Sequence, residues 1–262
     1  MKEKITKQKS KQLICLEKAN IFYLKNKFIL KDVNLSIDKG DFIAVFGPNG
    51  SGKTTLIKSI IGITKYNGKI KLEGKDIKKY SRREVAKKIA YIAQVEHELE
   101  GVRVIDYLLM SRIPHKSVFS ITSKEDIMKI DKMLKSFGIA NLKNKFMDEL
   151  SGGQKQIISI MCGILQETNI LFIDEPTNHL DPKVVLKVFE ILKTLNKQGK
   201  TIVLISHSLN KSLDLANKVI LIKDNHIFKS GFKKDVIKKS NIDDLFEINS
   251  SIKDLKICGM EL

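Results

Sequence analysis

The sequence contains no tryptophan, and its three cysteines stand far apart. Cys15, Cys162 and Cys258 form no closely spaced pair, and the odd count suits a reducing cytosol better than a secreted, disulfide-linked protein. No apolar run approaches the length of a membrane-spanning helix, so we expect no segment that crosses a bilayer. The charged start of the chain is not followed by an apolar stretch, and we therefore expect no signal peptide.

Arginine is scarce in a chain whose formal net charge is +17. The basic excess comes almost entirely from lysines spread along the sequence, and aromatic residues make up only 6%. Because nucleic-acid recognition favours arginine for bidentate contacts and aromatic rings for stacking, we expect no nucleic-acid partner. The charge is interpreted as a solvated, lysine-rich surface. The arginines are Arg82, Arg83, Arg103 and Arg112.

Short buried strands alternate with helical patterns through most of the chain. Residues 41–46, 169–174 and 201–206 are apolar runs of strand length, and helical patterns follow the first and separate the other two. This alternation predicts an α/β fold with a mainly parallel sheet. Residues 13–43 are strand-like, whereas residues 94–150 are helical in pattern. We therefore predict a helical subdomain inserted in the α/β core.

A glycine-rich loop links the first buried strand to a helix. GPNGSGKT, residues 47–54, fits the pattern G-x-x-x-x-G-K-[ST], and the glycines allow several backbone N–H groups to face an anion. Lys53 is expected at the terminal phosphates and Thr54 at Mg²⁺, whereas Thr55 packs at the start of the helix. The sequence thus predicts a nucleoside triphosphate site. Its residues are Gly47, Pro48, Asn49, Gly50, Ser51, Gly52, Lys53, Thr54 and Thr55.

Polar residues follow the other predicted strands where those strands end. Asp174 and Glu175 end the apolar run ILFIDE, and ligands of open α/β sheets bind at such strand ends. Asp174 is a predicted Mg²⁺ ligand, and Glu175 a predicted base for an attacking water. His207 follows TIVLIS and would hydrogen-bond the γ-phosphate. Gln94 follows IAYIA and would contact the γ-phosphate or Mg²⁺ where the helical insertion begins.

Taken together, these motifs resemble the nucleotide-binding subunit of ATP-binding-cassette (ABC) transporters over residues 13–240. The phosphate loop, Gln94, LSGGQ at 150–154, the acidic strand 170–175, NHLD at 178–181 and His207 stand in that family's order. LSGGQ is the most specific of these elements. The resemblance implies a P-loop NTPase core with an N-terminal antiparallel β subdomain and an inserted helical subdomain. It also implies hydrolysis of ATP with Mg²⁺.

Further site residues are implied by the same resemblance. Tyr23 lies where the family carries an aromatic residue that stacks on adenine, and Phe22 is the alternative candidate for this role. In ABC ATPases two subunits pack head to tail, and each LSGGQ closes on the nucleotide held by the other. A homodimer around two ATP molecules is therefore expected. The residues this adds to the nucleotide site are Ser151, Gly152, Gly153, Gln154 and Asp181.

The predicted domain organisation is simple. Residues 1–12 form a basic tail, residues 13–240 a single ATPase domain and residues 241–262 a short C-terminal extension. The helical subdomain occupies about residues 94–156 of the ATPase domain.

Fewer segments of the sequence resemble importers in particular than resemble the ABC family as a whole. Residues 102–119 resemble a segment of importer ATPases that serve iron–siderophore, haem and cobalamin uptake, as do NHLD and the C-terminal tail. This implies integral-membrane permease subunits, a substrate-binding protein and a position at the cytoplasmic face of the membrane. Alternatives are a zinc or manganese importer, another ABC transporter, a soluble ABC ATPase of iron–sulfur cluster assembly, and an ABC protein of DNA repair or the ribosome.

Some positions depart from the family pattern. The helix after LSGGQ lacks the usual arginine, Lys155 stands where arginine is common, and Ser208 stands where importers carry an acid. None of these changes removes a predicted catalytic group, so ATPase activity is still expected.

Overall fold

The computed structural model describes most of the 262 residues. The described ranges are 12–24, 27–93, 100–116, 123–177, 180–206, 209–253 and 256–261. Several predicted features lie outside these ranges. They are the predicted basic tail except Gln12, Gln94, the Asn178–His179 pair, His207 and Ser208. The predicted limits of the tail, of the helical subdomain and of the C-terminal extension stay predictions.

Strands and helices alternate along the described chain. The strands are β1 (Gln12–Leu24), β2 (Lys27–Asp38), β3 (Phe42–Phe46), β4 (Lys65–Leu72), β5 (Lys75–Asp76), β6 (Ile89–Ile92), β7 (Ile170–Asp174), β8 (Thr201–Ile205), β9 (Lys218–Lys223), β10 (His226–Phe232), β11 (Asn249–Lys253) and β12 (Lys256–Glu261). The helices are α1 (Lys53–Ile60), α2 (Arg82–Ala86), α3 (Val104–Met110), α4 (Lys124–Phe137), α5 (Gly152–Leu165), α6 (Pro182–Lys197), α7 (Leu209–Leu215), α8 (Lys233–Val236) and α9 (Lys239–Phe246).

A six-stranded sheet in the order β10-β9-β3-β8-β7-β6 forms the centre of the molecule. Neighbouring strands from β9 to β6 are parallel, and β10 adds an antiparallel edge. Every residue of β3, β7 and β8 is buried, as apolar strands covered on both faces must be. The predicted α/β fold with a mainly parallel sheet is confirmed. The carboxyl ends of these three strands therefore lie side by side.

A second, antiparallel sheet is built from the N-terminal part of the chain. Its strand order is β2-β1-β4-β5. Lys218 on β9 joins it to the central sheet, because its ammonium lies 2.7 Å from Asp38 Oδ2 and 2.8 Å from Asp41 Oδ2. The N-terminal antiparallel subdomain implied by the family resemblance is confirmed.

The described residues between β6 and β7 are mainly helical, as predicted, and form an apolar core of their own. Helix α4 begins after Ser123, whose hydroxyl accepts from the N–H of Asp126, and ends at Gly138 in the left-handed conformation. Helix α5 also supplies Ile160 to the core beside the central sheet. The core of the helical region consists of Val104, Leu108, Ile130, Leu134, Leu142, Met147, Leu150, Ile157, Ile158, Met161 and Leu165.

The last part of the described chain begins with a hairpin. Asp224 and Asn225 connect β9 to β10, and both have the positive φ that tight hairpin turns require. Helices α8 and α9 follow, and then a small hairpin formed by β11 and β12. None of the helices in the described part of the chain has the length and apolar character needed to cross a bilayer.

Candidate nucleotide site

The phosphate loop follows β3 and leads directly into α1. Gly50 and Gly52 have φ angles of 76° and 102°, which side-chain-bearing residues rarely adopt. Gly47 has a different reason to be glycine, because a Cβ there would lie 2.3 Å from the carbonyl oxygen of Ile222. All three glycines are therefore required by the backbone path of the loop itself.

The charge inside the loop comes from Lys53, the first residue of α1. Its Nζ donates to the carbonyl oxygens of Gly47 and Pro48, each at 2.9 Å. Burial lowers the pKa of Lys53, and the carboxylates of Glu175 and Asp174 act in the opposite direction. The loop is thus wrapped around its own ammonium group.

Two further features of the loop fit a bound phosphate chain. The hydroxyl of Ser51 is buried and has no hydrogen-bond partner among the described residues. The first N–H groups of α1 have no carbonyl partner within the helix, and the helix dipole favours an anion at this end. Buried donors, a lysine and a helix start together match what a triphosphate needs.

Asp174 and Thr54 meet at the junction of β7 and α1. Thr54 Oγ1 donates to Asp174 Oδ2 at 2.6 Å, and Asp174 is only 3% exposed. Burial raises the pKa of Asp174, which the hydrogen bond from Thr54 partly opposes, while the neighbouring Glu175 carboxylate raises it further. A hydroxyl and a carboxylate are ligands that suit Mg²⁺, which commonly takes few protein ligands beside substrate phosphates. The residues present therefore fit the ion.

Tyr91 joins this pair, although the sequence analysis did not single it out. Its hydroxyl donates to Asp174 Oδ2 at 3.3 Å. The alternation of side chains along a strand is consistent with this contact between Tyr91 and Asp174. Tyr91 on β6 pairs with Phe172 on β7, so Asp174, two residues further, faces the same side of the sheet. The contact exists only because β6 lies beside β7 in the sheet.

Glu175 is the first residue after β7 and leaves the strand sharply. Its φ is 49°, and its N–H donates to the carbonyl oxygen of Ile205 at the end of β8 at 2.9 Å. A positive φ is rare for residues with a long side chain, and the few cases cluster at functional sites. Gln94 and His207, the other predicted catalytic residues, lie outside the described residues. They follow the ends of β6 and β8 by two residues each.

The predicted adenine-stacking residue lies over the start of α1. The hydroxyl oxygens of Tyr23 and Thr55 are 3.1 Å apart, and the Tyr23 side chain is half exposed. Phe22 packs edge-to-face on Phe28 with ring centroids 5.8 Å apart. Tyr23 is thus tied to the helix that carries Lys53, whereas Phe22 is engaged with the neighbouring strand.

LSGGQ lies at the N-terminus of α5. Ser151 Oγ accepts from the N–H of Gln154 at 3.3 Å, and Gln154 Oε1 accepts from the N–H of Ser151 at 3.0 Å, which forms a capping box. Ser151 and Gly152 are exposed. Gly152 has no left-handed φ, and a Cβ placed on it would meet no atom of the described residues within 4 Å apart from its chain neighbours and the backbone of its own helix. Nothing among the described residues explains why this position is glycine.

Asp181, the last residue of NHLD, caps α6. Its Oδ1 accepts from the N–H of Lys183 at 2.8 Å, and Pro182 takes the first helical position. The cap is a local structural use of this carboxylate. Its predicted contact with nucleotide stays a prediction.

The RIPH sequence at 112–115 holds the far end of α5. Arg112 Nη1 donates to the carbonyl oxygen of Leu165 at 2.6 Å and to Glu167 at 2.9 Å, and Arg112 Nε donates to Asp126 at 2.9 Å. The carbonyl oxygen of the next residue, Gln166, accepts a hydrogen bond from His115 Nε2 at 2.9 Å. The C-terminal end of α5 is therefore tied to both α3 and α4.

The fold and the phosphate loop define a phosphate-loop nucleoside triphosphatase. The model of the ABC transporter family matches residues 30–178. The chain belongs to the ABC transporter family and is an ATP-binding, ATP-hydrolysing subunit of that family. The resemblance drawn from the sequence is confirmed.

Similar proteins cover nearly the whole chain. The iron(3+)-hydroxamate import ATP-binding protein FhuC of Bacillus subtilis is 33% identical over 229 residues, which are 87% of this chain and 85% of that one. The ferric enterobactin transport ATP-binding protein FepC of Escherichia coli is 31% identical over 236 residues, 89% of this chain and 87% of that one. The dimeric structure of MJ0796, a bacterial ABC transporter cassette, superposes with a TM-score of 0.75 at 25% identity and covers 84% of this chain and 98% of that one.

Proposed function

We propose that this chain is the ATP-driven subunit of an importer of the iron–siderophore, haem or cobalamin type, with iron(III)–siderophore complexes as the favoured cargo. The observation that carries this proposal is its likeness to proteins named for iron(3+)-hydroxamate import and ferric enterobactin transport over almost the full chain. The subunit itself has no contact with the cargo. It works at the cytoplasmic face of the membrane, bound to permease subunits. A substrate-binding protein delivers the cargo to these subunits.

The residues around the phosphate loop support the chemistry of this proposal. The loop, Lys53 and the start of α1 would hold the phosphates of ATP, and Tyr23 would stack on adenine. Thr54 and Asp174 would hold Mg²⁺, which neutralises phosphate charge in such sites. Glu175 would orient a water and accept its proton. Gln94 and His207 keep their predicted roles at the γ-phosphate.

Gly152 supports the proposed homodimer. A glycine at the exposed first position of a helix is unfavourable by propensity, and here neither φ nor packing within the described chain requires it. A helix start that lacks a side chain allows another molecule to approach the backbone N–H groups closely. We therefore infer that Ser151, Gly152, Gly153 and Gln154 act on the nucleotide of a second, identical subunit. In this two-fold arrangement each subunit supplies both halves of the interface.

A groove beside the helical region supports the proposed permease contact. It has a volume of about 520 Å³ and lies between the end of α1, α2 and β6. Ile63 at its rim is 65% exposed, and Ile113 in the RIPH sequence is 63% exposed. Arg83 Nε donates to the carbonyl oxygen of Pro114 at 3.1 Å, which joins α2 to that sequence. Exposed apolar side chains around a groove are typical of a docking site for a helix of a partner.

The proposal is tested by reconstitution. The chain is co-expressed with the permease encoded by neighbouring genes, and the purified complex is placed in proteoliposomes with its binding protein. A ferric hydroxamate or ferric enterobactin complex is expected to raise ATP hydrolysis several-fold, whereas zinc and manganese ions are not. Stimulation by the metal ions alone, or isolation of the chain with cluster-assembly proteins instead of a permease, would contradict the cargo class.

A matched pair of variants tests the docking groove in the same preparation. Ile63→Glu places a charge at the apolar rim and is expected to reduce retention of the chain on the tagged permease. Met128→Glu is the control, because Met128 is 69% exposed on α4 and lies outside the groove. Equal retention of both variants would place the permease contact elsewhere.

A further inference from the structure

Tyr91 and Thr54 share one acceptor at the candidate metal site. The Tyr91 hydroxyl and the Thr54 hydroxyl both donate to Oδ2 of Asp174, at 3.3 Å and 2.6 Å. A carboxylate that accepts two hydrogen bonds from different elements cannot rotate without losing one of them. The orientation of the Asp174 carboxylate is therefore set from β6 as well as from α1.

The position of Tyr91 is itself fixed by the central sheet. Tyr91 pairs with Phe172 and Ile92 with Ile173 in the parallel ladder of β6 and β7. Phe172 is fully buried, and the ring of Tyr91 packs against the same apolar core. Because side chains alternate along a strand, the Tyr91 hydroxyl reaches toward the carboxylate of Asp174 from the same face of the sheet. The donor therefore stands on rigid structure and not on a loop.

We propose that Tyr91 is a positioning residue, which orients the Asp174 carboxylate for Mg²⁺ without touching the ion or the nucleotide. The inference rests on the proposed metal site formed by Thr54 and Asp174. Hydrogen bonds to the ligands of a metal ion hold those ligands in place and strengthen metal binding. Loss of the Tyr91 hydroxyl therefore weakens the binding of the ion more than the binding of the nucleotide.

The test uses the full chain with Glu175→Gln, in which turnover is blocked, and compares it with the same chain carrying Tyr91→Phe. Affinity for a fluorescent ATP analogue is measured without divalent ions and across a Mg²⁺ titration, and Mn²⁺ binding is followed by electron paramagnetic resonance. Tyr91→Phe is expected to raise the half-saturating Mg²⁺ and Mn²⁺ concentrations about three- to tenfold. Nucleotide affinity without divalent ions is expected to be unchanged.

Two comparisons make the outcome decisive. Tyr80→Phe is the matched control, because the Tyr80 hydroxyl donates to the carbonyl oxygen of Leu72 in the antiparallel sheet, and it should leave the metal titration unchanged. In the Asp174→Asn background, Tyr91→Phe should have no further effect if it acts through Asp174. An equal loss of metal-free nucleotide binding, or an unchanged metal titration, overturns the role of Tyr91. An unchanged titration for Asp174→Asn itself overturns the metal site.

Discussion

The phosphate loop and LSGGQ are both glycine-rich helix starts, yet only the first is explained by its own chain. Gly47, Gly50 and Gly52 are required by close approach to Ile222 or by positive φ, whereas Gly152 has neither reason. A glycine that its own chain does not require can instead leave room for close approach by another molecule. In the proposed dimer, the phosphate loop is the half of the site that a subunit keeps, and LSGGQ is the half that it offers to its partner.

The largest effect is expected when hydrolysis is blocked, because ATP should then keep the two halves of the site in contact. Glu175→Gln removes the predicted base while keeping the size of the side chain, so hydrolysis is expected to fall by about 10²- to 10⁴-fold. ATP should then hold two subunits together, and size-exclusion chromatography with light scattering should show an ATP-dependent dimer. Undiminished turnover would contradict the assignment of Glu175, and an ATP-loaded monomer would contradict pairing of the isolated chain.

Mixing two inactive variants should restore activity if the halves belong to different molecules. Lys53→Ala disables the retained half, and Ser151→Arg disables the offered half. In an equimolar mixture about half of the dimers are mixed, and each contains one intact interface, so about a quarter of the wild-type ATPase activity is expected. The rate is measured across a range of mixing ratios. No recovery between two folded variants would contradict action in trans.

Alanine substitutions should distinguish the two kinds of glycine. Gly47→Ala inserts a methyl group against Ile222 and should destabilise the fold by about 1–3 kcal/mol. Gly152→Ala should leave the free energy of unfolding equal or slightly higher, because alanine favours helix, but should lower ATPase activity by about tenfold.

Chemical denaturation and steady-state hydrolysis measure these two effects separately. Lys124→Ala is the control for Gly152→Ala, since Lys124 also occupies the first helical position after a serine cap, in α4. Wild-type activity of Gly152→Ala would show that no partner group approaches this position.

Local patterns predicted the parts of the site that are close in sequence to a strand or helix end. Lys53, Thr54 and Asp174 could be placed because a buried strand and its following residues are visible in the sequence, and parallel strands align their carboxyl ends. Tyr91 could not, because its contact depends on β6 lying beside β7, which is a property of strand order.

The sheet strand β4 was also not singled out beforehand. β4 contains Gly68 and several lysines, and its place beside β1 results from pairing with a strand about 50 residues earlier. The absence of neighbours around Gly152 is likewise visible only in three dimensions. Contacts between distant segments, and not the chemistry of single residues, are therefore what local sequence patterns do not predict.

Helix α5 connects the side of the molecule that carries the groove with LSGGQ. Its C-terminal end is anchored, because Leu165 is bound by Arg112 and Gln166 Nε2 donates to the carbonyl oxygen of Ile89 at 3.2 Å, whereas Ser151 at the other end is exposed. Its 14 residues span about 21 Å at a rise of about 1.5 Å per residue. A turn of about 10° around the anchored end would displace the serine by about 4 Å on this length. A small rotation of the helical region about this end of α5 would therefore move LSGGQ by more than the length of a hydrogen bond.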